Sequence, residues 1–332
     1  MGPTYVSRYR SRIVERLRCV LAGDAPLRNV LRYHVGLEDE TGAANQAFGK
    51  LVRPSLTLFI AEELDGDPED ALSAAVSLEL VHGFSLVHDD VQDGDEMRRG
   101  RPTVWSRWGE PQAINAGDLL LALALAEARA AGDAVLKRLL DAVIEMIEGQ
   151  ALDVSFEARW PRMDEYAAMI DKKTGALFRC ACELGAVLAD APREVRNRLN
   201  GIGRELGRAV QIRDDLLGIW GSESELGKPV RADLRRRKKS YPMVAAAGRA
   251  NDGEWRILKA AFAKETPSDE ALREVVETME RLGVRESGAR EVEAHLEGAL
   301  SELERLPVSK DGMQQMRALC ESLRWTPETG AR

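Results

Sequence analysis

At 332 residues the chain has room for one large core or about two ordinary domains. Its composition is 44% hydrophobic but only 5% aromatic, and Ala, Leu, Glu and Arg are plentiful, a helix-former mixture that excludes a sheet-dominated protein. A net charge of −8 argues against nucleic acid as a partner.

Apolar residues recur at helical spacing, and breakers interrupt them regularly. The periodicity predicts helices over about 4–22, 26–37, 51–64, 68–92, 112–131, 134–157, 164–189, 192–221, 241–250, 253–264, 268–283, 287–305 and 309–324. Joints such as "LDGDPED", "LADAPREV" and "KETPSDE" carry the Asp, Ser or Pro that starts a helix. No stretch reads as a hairpin, so a single all-α domain over 1–332 is expected. The N-terminal "MGPTYVSRYRSRIVERLRCVL" is too charged for a signal peptide. "LLLALALA" (Leu119 to Ala126) is too short to cross a bilayer and reads as a buried core helix. Cys19, Cys180, Cys182 and Cys320 have neither disulfide nor zinc spacing. Reduced thiols fit a cytoplasmic protein without a transmembrane segment.

The chemistry lies in two acid clusters. In "LVHDDVQDGDEMRRGRPT" five carboxylates (Asp89, Asp90, Asp93, Asp95 and Glu96) are followed at once by Arg98, Arg99 and Arg101. On a helix, His82, Ser85, Asp89 and Asp93 form one stripe, with Asp90 about 100° away. Two acids so close are costly unless a cation lies between them. Alone, the cluster also reads as a solvated helix end, but the apolar approach "SLELVHGFSLV" argues for burial.

The second cluster is in "GRELGRAVQIRDDLLGIWG", where Gly203, Gly207, Gln211 and Asp215 recur every four residues beside Asp214. Two mid-helix glycines cost about 1 kcal/mol each, so that face should border a cavity or a closely packed helix. By itself this cluster reads better as tight packing with a chance Asp pair. Together, the two clusters suggest a cavity walled by carboxylates. All-oxygen ligands suit Mg²⁺, which keeps waters and binds substrate phosphates. Lys50, Arg53, Arg98, Arg99, Lys173, Lys228, Lys238 and Lys239 supply groups for holding diphosphate directly. A P-loop is absent.

These residues resemble the trans-isoprenyl diphosphate synthases, the polyprenyl synthetase family. "LVHDDVQDGDEMRRGRPT" resembles the first aspartate-rich motif, DDxxD followed by RRG, and "QIRDDLLG" the second. "GKLVRP", "ELVHGFSLVHDD", "INAGD", "GQALD", "KTGALF" and "GKPVRADLRRRKKSYP" resemble further blocks, in the family's order, over roughly residues 25 to 245. The resemblance implies the isoprenoid synthase fold, an all-α bundle around a deep central cavity, and a homodimer. It implies that Asp89, Asp93 and Asp90 bind Mg²⁺ bridging to an allylic diphosphate, and that Asp214 with Asp215 binds a further ion, three in all. Arg98, Lys173 and Lys238, with Lys228 nearby, would hold the allylic diphosphate. Lys50, Arg53, His82 and Arg99 would hold isopentenyl diphosphate. Thr174 and Gln211 would line the point where the allylic cation forms, and Lys173, Thr174 and Gln211 are thus the catalytic set.

Two positions depart from the pattern: the third acid of the second motif is replaced by Gly218, and the residue before Gln211, often Phe, is Val210. Activity with weaker metal binding is expected. A terpene cyclase shares the fold and metals, but its (N/D)DxxSxxxE motif fails at Gly218 and Ser222. A non-catalytic subunit usually lacks one acid motif, and this chain has both. In the family a bulky residue five positions before the first Asp limits chain length. Here it is Phe84, next to the small Ser85, which points to geranylgeranyl diphosphate, with farnesyl diphosphate as the alternative.

Overall fold

The computed structural model describes residues 4–222, 231–263 and 267–325. Regular structure among them is almost entirely α-helical, as expected. The chain divides into two compact units. One comprises the described residues of Met1–Ile144, Ala176–Arg204 and Ala299–Ser322; the other those of Glu145–Gly175, Glu205–Gly298 and Leu323–Arg332.

The first unit is built on amphipathic stripes. The helix Thr4–Val20 places Tyr5, Tyr9, Ile13 and Leu17 on one face, with Leu21 just beyond its end. None of the five is more than 2% exposed. Each buried side chain of that size contributes about 1.5–3 kcal/mol. Tyr5 stacks on Phe59 of the helix Val52–Glu63, ring centroids 4.7 Å apart. The helix Leu72–Asp93 is apolar on most sides through Val87 and packs most extensively on Glu110–Ala130. Small buried residues there (Ala113, Ala116, Gly117, Ala124 and Ala128) let the two backbones approach. A Cβ on Gly117 would collide with the His88 ring.

In the second unit the helix Asp269–Arg281 buries Leu272, Val275, Val276 and Met279 at helical spacing. Ser268 caps it by accepting from the Ala271 N–H. It packs against Tyr241–Ala247 and Asp252–Phe262. Trp160 meets Trp255 and Phe262 edge-on at 4.8 and 5.5 Å.

Three expectations are corrected. A hairpin is present: Met97–Arg98 pairs antiparallel with Arg101–Pro102. Arg99 and Gly100, with φ of 52° and 72°, form its turn. Two consecutive left-handed residues match the twist of a two-residue hairpin, which "RRGR" encodes without any apolar alternation. The helix placed at about 68 starts at Leu72, because Asp67 accepts from the Glu69 N–H and makes a local turn first. The helix placed over 164–189 is two, Met163–Lys173 and Gly175–Leu188, interrupted at Thr174. The break falls where the Thr174 hydroxyl donates to Gln211 Oε1 and Gly175 lies against Gly207.

Candidate active site

The first acid motif closes the Leu72–Asp93 helix, and its three acids are not equivalent. Asp89 and Asp93 are half-buried, whereas Asp90 is 1% exposed. Arg98 Nε donates to Asp90 Oδ1 at 2.6 Å. Asp90 Oδ2 has no hydrogen-bond partner among the described residues. Burial pushes the Asp90 carboxyl up to about 6, against the opposing pull of Arg98. Arg98, assigned above to the allylic diphosphate, is thus anchored by Asp90 and lies 4.0 Å from Asp95.

One to two turns earlier the same helix carries a second cluster. Arg53 Nη1 lies 3.3 Å from His82 Nε2. A guanidinium only donates, so His82 accepts there and is neutral. Burial, reinforced by Arg53 and Arg99, holds the His82 pKa well below its ordinary value. The Arg99 guanidinium fills the space where Gly49 lacks a side chain; a Cβ there would sit 2.5 Å from Nη2. Lys50 is the next residue and is exposed. Phe84 is buried, its ring meeting that of His88 edge-on with centroids 4.9 Å apart, and the Ser85 hydroxyl donates to the His82 carbonyl.

The second acid motif lies on the helix Arg193–Trp220, and its two acids differ still more. Asp214 is exposed, with Arg213 at 3.2 Å. Asp215 is buried and its carboxylate is fully engaged. Tyr166 hydroxyl and the Tyr241 N–H both donate to Oδ2 at 2.7 Å. Gln211 Nε2 donates to Oδ1 at 2.8 Å. Burial nonetheless raises the Asp215 carboxyl to about 6, against these donors and Lys238. The glycine stripe serves close packing. A Cβ on Gly203 would lie 2.6 Å from Arg179 Cα, and one on Gly207 2.6 Å from Gly175 Cα. At Gly218 a Cβ would stand 3.5 Å from Asp233 Oδ2. An acid restored there would face a carboxylate already in place.

Lys173 and Lys238 meet on one acid absent from the predicted set. Asp153 Oδ2 accepts from Lys173 Nζ at 2.6 Å and lies 3.2 Å from Lys238 Nζ. Burial would raise Asp153, but the two ammonium groups pull it down to about 2. Lys239 donates instead to the Glu157 carbonyl. Lys228 lies outside the described residues.

Reading the sequence missed Asp153, Tyr166, Tyr241 and Glu79. Glu79 precedes His82 by one turn, and burial lifts its carboxyl to about 7, against Arg99 and Arg53. A signal for Asp153 was there: in "GQALD" a Gly and an Asp stand four apart, as Gly207 and Gln211 do. Among the described residues no three His, Cys, Asp or Glu side chains converge to hold a metal on their own.

Comparison with known proteins shows the family. The family model described as polyprenyl synthetase matches residues 37–279. The chain belongs to that family. It is 42% identical over 295 residues to a (2E,6E)-farnesyl diphosphate synthase of Mycobacterium tuberculosis, covering 86% of this chain and 82% of the relative. It is 41% identical over 255 residues to a geranylgeranyl diphosphate synthase of the same organism, covering 74% and 72%. A polyprenyl synthetase crystal structure from Streptomyces coelicolor superposes with a TM-score of 0.88 at 35% identity, over 97% of this chain and 99% of that one. A geranylgeranyl pyrophosphate synthetase from Pyrococcus horikoshii gives 0.85 at 32%, over 96% and 97%. The activity class is therefore that of a trans-prenyltransferase. No helix among the described residues is long and apolar enough to cross a membrane.

Proposed function

We propose that the whole chain acts as one catalytic domain that condenses isopentenyl diphosphate with an allylic diphosphate and releases geranylgeranyl diphosphate. The observation that carries the reading is the cluster of Arg53, neutral His82 and Arg99 beside the first acid motif. Diphosphate is the ligand such a fork of donors suits. Lys50, Arg53, His82 and Arg99 hold isopentenyl diphosphate. Arg98, Lys173 and Lys238, with Lys228, hold the allylic diphosphate, and Thr174 with Gln211 faces the nascent cation.

Asp89 and Asp93 are the ligands for Mg²⁺ on the first motif and Asp214 on the second. The donor set fits: it is all oxygen and half-buried or exposed, with too few protein ligands to enclose the ion. So open a set of carboxylates suits Mg²⁺, an ion that would share them with water and substrate phosphate. When bound, it neutralises charge on the departing diphosphate. Asp215 is tied up within the protein and serves as a support, whereas Asp90 gives Oδ1 to Arg98 and keeps Oδ2 without a partner among the described residues, alongside Asp89 and Asp93. No side-chain nucleophile is required. Ionisation of the allylic ester is followed by attack of the isopentenyl double bond, and the proton leaves to diphosphate.

Phe84 sets product length in this reading. The test is incubation with Mg²⁺, isopentenyl diphosphate and each allylic primer, followed by chromatography of the dephosphorylated products. Geranylgeraniol is expected to dominate, and Phe84→Ala to shift the products to longer chains. An unchanged distribution removes Phe84 from the floor; farnesol as the wild-type end product favours the alternative.

A homodimer is supported by an exposed apolar stripe on the helix Asp133–Ser155. Leu140, Ile144, Ile147 and Val154 share one face and are 37%, 55%, 47% and 44% exposed. Ile144→Glu combined with Ile147→Glu is expected to halve the mass measured by light scattering. A wild-type monomer would dismiss the dimer. Among the described residues none of the four cysteines is in a disulfide, which supports a reducing, cytoplasmic location.

A further inference from the structure

Asp153 stands at the end of the helix Asp133–Ser155, 8% exposed, and is the meeting point of two lysines from elsewhere in the chain. Lys173 closes the helix Met163–Lys173, and Lys238 lies between the short helix Ala232–Arg235 and Tyr241–Ala247. Both ammonium groups converge on the same oxygen, Oδ2. Gly149, one turn before Asp153 on the same helix face, makes this possible. Its missing side chain lets the Lys173 backbone lie directly against the helix, where a Cβ would collide with the Lys173 amide nitrogen. "GQALD" therefore encodes a docking site for Lys173: a glycine that admits its backbone, then an acid that receives its ammonium group.

We propose that Asp153 is a positioning residue that assembles Lys173 and Lys238 into a two-ammonium clamp for the diphosphate of the allylic substrate before that substrate arrives. The proposal rests on the reading that these two lysines bind that diphosphate. Without an anion between them, two ammonium groups so close repel each other. Each then relaxes toward solvent, and the long lysine stems regain the rotamer freedom that must be removed again on binding. With Asp153 in place, each ammonium group directs one of its three N–H donors at Oδ2, and its positive charge still faces an incoming phosphate. One negative charge against two positive leaves the clamp with a net +1, so it still attracts the ligand.

The test compares wild type, Asp153→Asn and Asp153→Glu as full-length protein. Steady-state kinetics give KM for the allylic and isopentenyl diphosphates separately. Isothermal titration with inorganic pyrophosphate and Mg²⁺ gives a binding constant that does not depend on turnover, and thermal melting reports the fold. Asp153→Asn keeps the shape and can still turn a carbonyl oxygen to both lysines, but it removes the negative charge that holds the two ammonium groups together. Its allylic KM and pyrophosphate Kd are expected to rise by about ten- to a hundredfold, the cost of removing the charge from hydrogen bonds to charged groups. KM for isopentenyl diphosphate is expected to stay within about twofold. Asp153→Glu, which restores the charge on a longer stem, should recover part of the loss. Three results overturn the proposal: an unchanged allylic KM and pyrophosphate Kd; a fall in either, which would mark Asp153 as a competitor for the lysines; or an equal rise in both KM values. If Asp153→Asn does not fold, Asp153→Glu alone decides through the same split between the two KM values. A wild-type protein that forms no prenyl product would instead defeat the functional reading, and the pyrophosphate titration would still judge the clamp.

Discussion

Asp89→Ala and Asp214→Ala each lower kcat/KM for prenyl transfer by about 10²–10³-fold or more, the scale of removing one preorganised electrostatic contact to a developing anion. Both leave the fold intact. Asp89 is half-buried and Asp214 is 56% exposed at its side chain, whereas Asp215 is buried and receives three donors. Changes at positions like the first two usually move stability by no more than about 0.5 kcal/mol. Asp90→Ala behaves differently although it is the next residue. It strands the Arg98 guanidinium, which now donates to Asp90 Oδ1, and so couples an activity loss to a fall in Tm. The discriminating measurement is a Mg²⁺ titration of initial rate for each variant. Asp89→Ala and Asp214→Ala should raise the Mg²⁺ concentration needed for half-maximal rate with Tm unchanged, and Asp90→Ala should lower Tm as well. Wild-type turnover in Asp89→Ala would end the assignment of the first motif to metal.

How much of this was legible in the sequence depends on the kind of interaction. The all-α class and most helix spans follow from periodicity, because an amphipathic stripe such as Tyr5, Tyr9, Ile13 and Leu17 is a one-dimensional pattern. The glycine stripe was legible as an unexplained cost, and Gly203 and Gly207 indeed lie against other backbones. The hairpin at Arg99–Gly100 was hidden because it depends on two positive φ angles and not on alternation. Within each acid pair, spacing could not say which member turns inward. Asp90 and Asp215 are distinguished from Asp89 and Asp214 by partners outside their own helices: Arg98 on the hairpin strand, and Tyr166 and Tyr241. One of those partners is a backbone N–H, which no residue type announces. Asp153 was overlooked for the same reason, since its importance comes from two lysines 20 and 85 residues later.

Asp215→Ala is expected to cost on the order of 3–5 kcal/mol, because it strands two buried donors and one partly buried donor at about 1–3 kcal/mol each. Those donors are the Tyr166 hydroxyl, the Tyr241 N–H and the Gln211 amide. Loss of a soluble, cooperative melting transition would be consistent with this; an unchanged Tm would refute it. Asp215→Asn isolates the charge. In the folded state burial raises the carboxyl from 3.8 to about 6. The native protein therefore binds this proton more tightly than the unfolded chain does. The resulting stability is complete below pH 3.8 and is lost as pH rises through about 6, where the buried carboxylate must ionise. Asparagine carries no such proton. The stability of wild type minus Asp215→Asn should therefore fall by roughly 2–3 kcal/mol between about pH 4 and pH 7, at 1.36 kcal/mol per pKa unit. Asn also turns an N–H₂ toward Gln211, whose amide must flip and release the Thr174 hydroxyl. That penalty is the same at every pH, so it offsets the curve without tilting it. Denaturant titrations of both proteins across this range separate the two effects. A difference that stays flat with pH would mean that the three donors fully compensate the burial of the charge.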